Sequence, residues 1–206
     1  KLALLWTSER GEELRATYAE FKKQTDQAAA YFLSLGIRRG DKVMLILKRH
    51  YQWWISMMAL CKIGAVAIPA THMLTASDIV YRNQRASVKA IICVNDEYVT
   101  TQVREAMSES PTVEVLVAVN SLAQKGCPVA EGFHDWFAEW DKAPAFVRPE
   151  EVNVNEDTML MYFTSGTSGE PKMVAHDHLY ALGHLVTGVF WHNLCLLYTS
   201  DAADEE

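Results

Sequence analysis

The chain has 206 residues, of which 50% are hydrophobic and 22% are charged, so it can fold around a substantial core. Lysine and arginine number 19 against 26 aspartates and glutamates, which gives a net charge of −7. This balance excludes the basic surface that nucleic acids or anionic membranes attract, and an aromatic content of 10% argues against intrinsic disorder.

Cysteine spacing and hydropathy limit the cellular context. The chain contains no C-x-x-C pair and no zinc-like spacing of cysteine against histidine. We therefore expect free thiols and a cytoplasmic protein. No apolar run reaches the roughly 18–20 residues of a membrane span, and no signal pattern opens the chain. Because the first residue is Lys1, we expect the true start to lie upstream. The cysteines are Cys61, Cys93, Cys127 and Cys195.

The first 36 residues predict a hairpin followed by a helix. Apolar residues on both sides of the polar turn at residues 8–12 indicate two paired strands. Thr17 and Glu20 have the spacing of a capping box, in which each side chain satisfies a backbone amide of the other residue. Apolar residues then recur at helical spacing as far as Gly36, whose conformational freedom is typical of a helix end.

Strand and helix patterns alternate over the next 80 residues. Short buried runs predict strands, and amphipathic segments between them predict helices; Gly64 ends one helix, and a second capping box at Thr75 and Asp78 begins another. Such alternation predicts an α/β fold with a mainly parallel sheet covered by helices on both faces. The predicted strands are 43–47, 65–68, 90–94 and 113–119, and the predicted helices start near 51, 75 and 97.

Residues 120–155 read as a long surface connection with one amphipathic turn. Glycines and prolines interrupt this segment, and Trp136 and Trp140 at helical spacing are expected to dock the turn on the core. The pairs Trp53–Trp54 and Met57–Met58 are likewise expected to belong to a buried helix and not to a cofactor site.

The chemistry of the chain is concentrated in one loop after an apolar run at residues 159–163. Two glycines allow close backbone approach, and successive amides, hydroxyls and a lysine supply donors, so the loop suits a polyphosphate. A helix beginning nearby is expected to add its positive end. The residues that we assign to nucleotide binding are Thr164, Ser165, Gly166, Thr167, Ser168, Gly169, Glu170, Pro171 and Lys172.

Two other interpretations of this loop are weaker. A flexible Ser/Gly linker needs no ligand, but it does not require Pro171 beside Lys172 or a strand directly before it. The P-loop of nucleoside triphosphatases, G-x-x-x-x-G-K-[S/T], fails on spacing. Two residues separate Gly169 from Lys172, and Met173 stands where a metal-binding hydroxyl is needed.

The segment Y-F-T-S-G-T-S-G-E-P-K, residues 162–172, resembles the phosphate-loop signature of the adenylate-forming enzymes. That family includes acyl-CoA synthetases, luciferases and peptide-synthetase adenylation domains. The segments G-D-K-V at 40–43 and L-C-K-I-G-A-V-A-I-P at 60–69 are similar to other family patterns, as is His178 after the lysine. The resemblance implies helix-covered sheets of the family's N-terminal domain, here incomplete.

Residues 172–193 are most similar to medium-chain acyl-CoA synthetases. This resemblance implies ATP with Mg²⁺, a medium-chain or related carboxylic acid, and CoA as substrates. The carboxylate attacks the α-phosphorus to form acyl-adenylate and pyrophosphate, and the CoA thiol then displaces AMP. The loop would bind the β- and γ-phosphates and neutralise the departing pyrophosphate.

The histidines of this region do not have the spacing of a metal site. We expect packing roles for them and no metal, although the resemblance places the segment near the acyl pocket. These histidines are His176, His178, His184 and His192.

The resemblance ends near residue 194, and residues 195–206 look like a translated sequencing adapter. We therefore interpret residues 1–194 as a partial AMP-binding domain. The family's Y-G-x-T-E segment, ribose-binding aspartate, hinge and C-terminal lysine have no counterpart, so no complete catalytic set and no synthetase activity are expected of this chain. An aryl-acid ligase, a peptide-synthetase adenylation domain or a non-catalytic nucleotide-binding truncation are the alternatives.

Overall fold

The computed structural model describes residues 1–8, 11–151, 153–165 and 169–191, and the adapter-like tail at 195–206 lies outside them. The described strands are β1 (Leu2–Thr7), β2 (Glu13–Thr17), β3 (Lys42–Ile46), β4 (Val66–Pro69), β5 (Val88–Val94), β6 (Val115–Val119), β7 (His134–Asp135), β8 (Thr158–Thr164) and β9 (Lys172–Asp177). The described α-helices are α1 (Tyr18–Ser34), α2 (Gln52–Ile63), α3 (Ala76–Ala86), α4 (Glu97–Ala106), α5 (Trp136–Trp140) and α6 (Leu179–Phe190).

Among the described residues, seven strands form one sheet in the order β7-β6-β5-β3-β4-β8-β9. All neighbours pair in parallel except β8 and β9, which form an antiparallel hairpin at one edge. The strands β1 and β2 pair separately as the predicted hairpin. The predicted α/β fold with a mainly parallel sheet is therefore confirmed.

Helices cover both faces of the sheet, as predicted. The crossover through α2 carries the chain from β3 to β4, whereas the crossover through α3 carries it back past β3 to β5. Because such crossovers are right-handed, opposite directions place α2 and α3 on opposite faces. The contacts agree: α1 packs against α2 on one side, and α3 packs against α4 on the other.

The core lies around the central strands. Every residue from Val43 to Ile46 is at most 1% exposed, and β5 is buried from Ala90 to Val94. Parallel strands covered on both faces require such continuous apolar runs. The apolar runs from which these strands were predicted therefore form the centre of the sheet.

Both predicted capping boxes are present. The side chains of Thr17 and Thr75 accept from the amides of Glu20 and Asp78, whose carboxylates accept in return from the threonine amides. These hydrogen bonds lower the pKa of both carboxyl groups. The sequence signal at each helix start was therefore correct to the residue.

The aromatic turn at α5 docks on the core, as predicted. Trp136 is 2% exposed and makes edge contacts with Tyr31 and Phe32 of α1, at ring-centroid distances of 5.9 and 5.8 Å. The Gln27 side chain donates to the carbonyl of Trp140 over 2.7 Å. These contacts tie the long connection to α1.

The prediction that the tryptophan and methionine pairs of α2 are buried is wrong for one residue of each pair. Trp54 and Met58 are more than 40% exposed, so α2 is buried on only one side. None of the described α6 side chains is buried, and its leucines and valines are mostly exposed. None of the described helices has the length and apolar content needed to cross a bilayer.

We predict that Gly64→Ala destabilises the fold more than Gly36→Ala. Both glycines have positive φ, +72° and +83°, where alanine costs about 1 kcal/mol. Only at Gly64 would the added Cβ also meet neighbours, 2.6 Å from Asn153 Oδ1 and 2.8 Å from Arg39 Cγ. Overpacking adds about 1–3 kcal/mol. Urea unfolding of both variants measures the difference, and equal midpoints would contradict the close approach.

We also predict graded thiol reactivity. Burial raises the pKa of Cys61 to about 11 and of Cys93 to about 12, whereas Cys127 is exposed. At pH 8 the two buried thiols remain protonated and are poor nucleophiles. Iodoacetamide labelling followed by peptide mass spectrometry should modify Cys127 before Cys61 and Cys93, and these two should react at a similar rate only after unfolding in urea.

Candidate functional site

The predicted phosphate loop connects β8 to β9 at the carboxyl edge of the sheet. Because β8 runs parallel to β4, its end at Thr164 lies on the same edge as the carboxyl ends of β3, β4 and β5. Thr164 pairs with Lys172 across the hairpin, so the two ends of the loop are adjacent. Ligands of open α/β sheets bind at this edge.

The described loop residues face solvent. Ser165, Gly169 and Glu170 are exposed, and Pro171 is half-buried. Gly169 has φ +102°, a conformation that glycine adopts at no steric cost. The remaining predicted residues Gly166, Thr167 and Ser168 lie outside the described residues.

Lys172 begins β9, and its side chain is exposed. Within the described residues its ammonium group has no carboxylate partner at ion-pair distance, so the charge is available to an anion. Thr164 Oγ1 donates to the Lys172 carbonyl over 3.4 Å, which links the first and last residues of the assigned loop. The structure thus brings a hydroxyl, a glycine and a cation to the mouth of one hairpin.

The expected helix at the end of the loop is wrong. Lys172 is followed by the strand β9, and α6 begins only at Leu179, at the far end of that strand. Six residues of strand rise about 20 Å, so the positive end of α6 is too far away to act on a phosphate in the loop. Backbone amides, hydroxyls and Lys172 would have to provide the binding without a helix dipole.

The histidines that follow the loop pack against tyrosines. His176 lies between Tyr162 and Tyr180, at ring-centroid distances of 5.9 and 4.2 Å, and Tyr180 also contacts His184 at 4.5 Å. Burial raises the pKa of the Tyr162 phenol. His192 lies outside the described residues. In the part of the chain that is described, no three His, Cys, Asp or Glu side chains could together hold a metal ion.

A second feature at the carboxyl edge was not predicted from the sequence. A crevice of about 1060 Å³ opens beyond the carboxyl ends of β3 and β5, where the crossovers that leave these strands, through α2 to β4 and through α4 to β6, run in opposite directions. This reversal of strand order is where open α/β sheets place their ligands. Residues lining it include Trp6, Lys48, His50, Trp53, His72 and Asp96.

Charged groups at this crevice are organised by the strand ends. Lys48 has φ +45°, unusual for a residue other than glycine, and its Nζ lies 2.9 Å from Asp96 Oδ2. Asp96 also caps α4 by accepting from the Val99 amide. Burial lowers the pKa of His50, which favours the neutral form of this imidazole. The sequence signal that could have revealed this crevice was the presence of polar residues directly after the buried strands.

Comparison with known proteins assigns the chain to a family. A sequence model described as AMP-binding enzyme matches residues 1–202. The chain is 33% identical over 196 residues to mouse (Mus musculus) mitochondrial acyl-coenzyme A synthetase ACSM5, covering 92% of this chain and 32% of that protein. An uncharacterized acyl–CoA ligase of Bacillus subtilis, YtcI, is 29% identical over 187 residues, covering 91% of this chain and 33% of that protein.

The fold is shared with a solved structure. Acetoacetyl-CoA synthetase from Streptomyces lividans superposes with a TM-score of 0.80 at 24% identity, over 94% of this chain and 30% of that one. The chain spans about a third of the length of the curated relatives that it matches. With a family match along nearly its whole length, a relative at 33% identity and the same N-terminal fold, the chain belongs to the AMP-binding enzyme family of acyl-CoA synthetases and their relatives.

Proposed function

We propose that this chain provides the ATP-phosphate site of an acid–CoA ligase that activates a carboxylic acid as its acyl-adenylate. The observation that carries the proposal is the hairpin loop at the carboxyl edge, with Lys172 unpaired among the described residues and adjacent to Thr164. The relatives named above are acyl-CoA synthetases or ligases, which supports the same chemistry.

The loop would act by stabilising charge. A carboxylate is a poor acyl donor, so its oxygen first attacks the α-phosphorus of ATP, and the bond to the β-phosphate oxygen breaks to release pyrophosphate. The loop donors and the Lys172 ammonium would hold the β- and γ-phosphates and neutralise the leaving pyrophosphate. The CoA sulfur then attacks the acyl carbon, and AMP leaves with the electron pair of the acyl–phosphate bond.

Magnesium would enter this site with the nucleotide. Mg²⁺ is commonly held by substrate phosphates together with one or two carboxylates and several waters, and the described residues contain no three-ligand cluster of their own. Bound there, Mg²⁺ would supply charge neutralisation between phosphate oxygens. The loop residues would orient those phosphates.

The acid and the compartment belong to the proposal as well. A medium-chain fatty acid is supported by the similarity of residues 172–193 to medium-chain acyl-CoA synthetases. The free thiols Cys61, Cys93 and Cys127 suit a reducing compartment such as the cytoplasm, whereas the similar mouse synthetases ACSM5 and ACSM3 are mitochondrial proteins. An aryl-acid ligase or peptide-synthetase domain shares the loop chemistry, and a panel of acids distinguishes these branches.

We predict that Lys172→Ala weakens MgATP binding by about tenfold, because a charge-assisted hydrogen bond to phosphate is lost. Isothermal titration of the chain with MgATP measures the dissociation constant. Lys172→Arg keeps the charge and should retain most of the affinity. Lys23→Ala removes an exposed lysine of α1 and serves as the charge-matched control. Equal weakening by Lys23→Ala and Lys172→Ala would contradict a specific role for Lys172.

We further predict that acid-dependent exchange of pyrophosphate into ATP requires more than these 206 residues. A longer protein of about the relatives' length should catalyse exchange with medium-chain acids and form acyl-CoA, whereas this chain alone should bind MgATP without exchange. Radiolabelled pyrophosphate exchange with hexanoate, octanoate and benzoate provides the measurement. Robust exchange by the 206-residue chain would refute the prediction that exchange needs a longer protein. A preference for benzoate would favour the aryl-acid branch.

A further inference from the structure

Helix α3 touches both ends of the phosphate loop. The Tyr81 hydroxyl donates to the carbonyl of Pro171 over 2.9 Å, directly before β9 begins. On the other side of the loop, the guanidinium carbon of Arg82 lies 5.3 Å from the ring centroid of Phe163, in β8. Tyr81 also meets Phe163 edge-on at 6.2 Å. Two consecutive helix residues therefore contact the strand that enters the loop and the residue before Lys172, which ends it.

Arg82 is itself held in place. Its Nη1 donates to the Asp78 carbonyl over 2.9 Å and lies 3.7 Å from the Asp78 carboxylate, and its side chain is 13% exposed. Asp78 in turn closes the capping box with Thr75. A guanidinium fixed in this way, over an aromatic face and largely shielded from water, makes a stronger cation–π contact than a mobile surface one.

Helix α3 is also anchored away from the loop. The Ala76 amide donates to Gln102 Oε1 on α4 over 2.8 Å. Buried Asn83 donates to Ser110 over 2.9 Å, and Ile79 is 1% exposed. Because its own position is fixed by the core and by α4, α3 can fix the loop.

The sheet joins the hairpin to β4 only at a distance from the loop. The described ladder between β8 and β4 consists of the pair Ala67–Leu160, five residues before Ser165. Beyond β8 lies only β9, which is an edge strand among the described residues. At the loop end, β8 and β9 pair with each other as far as Thr164 and Lys172, and Tyr81 and Arg82 supply contacts from outside the sheet.

We propose that Tyr81 and Arg82 are positioning residues that fix the two described ends of the phosphate loop, so that Lys172 and the loop donors are presented to one polyphosphate. The inference rests on the proposed function, because it assigns these residues to the same site. A loop ordered before binding loses less conformational entropy when the ligand arrives. Removing the contacts should therefore weaken phosphate binding although neither side chain touches the phosphate.

The test uses Tyr81→Phe, which removes only the hydroxyl and leaves the ring against Phe163. Tyr98→Phe is the matched control, because Tyr98 is 48% exposed on α4 and its hydroxyl has no described hydrogen bond. Hydrogen–deuterium exchange of the amides between β8 and β9 reports loop order without ligand. Titrations with MgATP and with magnesium tripolyphosphate report binding, and circular dichroism checks that each variant is folded.

Loss of one hydrogen bond should weaken both ligands about three- to tenfold, with faster exchange confined to the loop and β9. Arg82→Lys, which keeps the charge but not the planar contact, should give the same pattern. Unchanged loop exchange and unchanged affinity in folded Tyr81→Phe would overturn the positioning role. If the unmodified chain binds neither ligand, the proposed function fails first, and the positioning role falls with it.

Discussion

The parallel pairing of β8 with β4 determines where the chemistry of this chain can occur. A strand that joins a parallel sheet must end on the same edge as its neighbours, so this pairing delivers the loop after Thr164 to the edge where β3, β4 and β5 also end. The buried runs of the central strands suit parallel pairing, because helix crossovers connect parallel strands and cover both faces. Had β8 entered antiparallel, the same loop would lie at the opposite edge, away from the crevice.

Local signals in the sequence were sufficient for most of the elements. The capping boxes at Thr17 and Thr75 act within one turn of helix, and Gly64 ends α2 through its own backbone conformation. These features can therefore be predicted from a few adjacent residues. Strand order is a different kind of information. It depends on which buried runs pack beside each other across more than 100 residues, and the placement of β3 between β4 and β5 follows from no local pattern.

The same distinction explains the two errors at the site. The expectation of a helix after the loop came from the general affinity of helix N-termini for phosphate, whereas Met173, Val174 and Ala175 pair across the hairpin with β8 and extend the sheet. The crevice was missed because Lys48 and Asp96 are 48 residues apart and meet only once β3 and β5 are neighbours. The loop itself could be predicted because its hydrogen-bond donors are consecutive in sequence.

An anionic chain that binds an anionic nucleotide must do so through short-range contacts. The net charge of −7 opposes the approach of ATP, but at physiological salt a charge is screened over about 8 Å. Charges elsewhere on the surface therefore matter less than groups in direct contact with phosphate. In the proposed site, an exposed lysine, the loop amides and accompanying Mg²⁺ would act at that range. If α3 positions the ends of the loop as proposed, its contacts would then be as important to binding as the donors themselves.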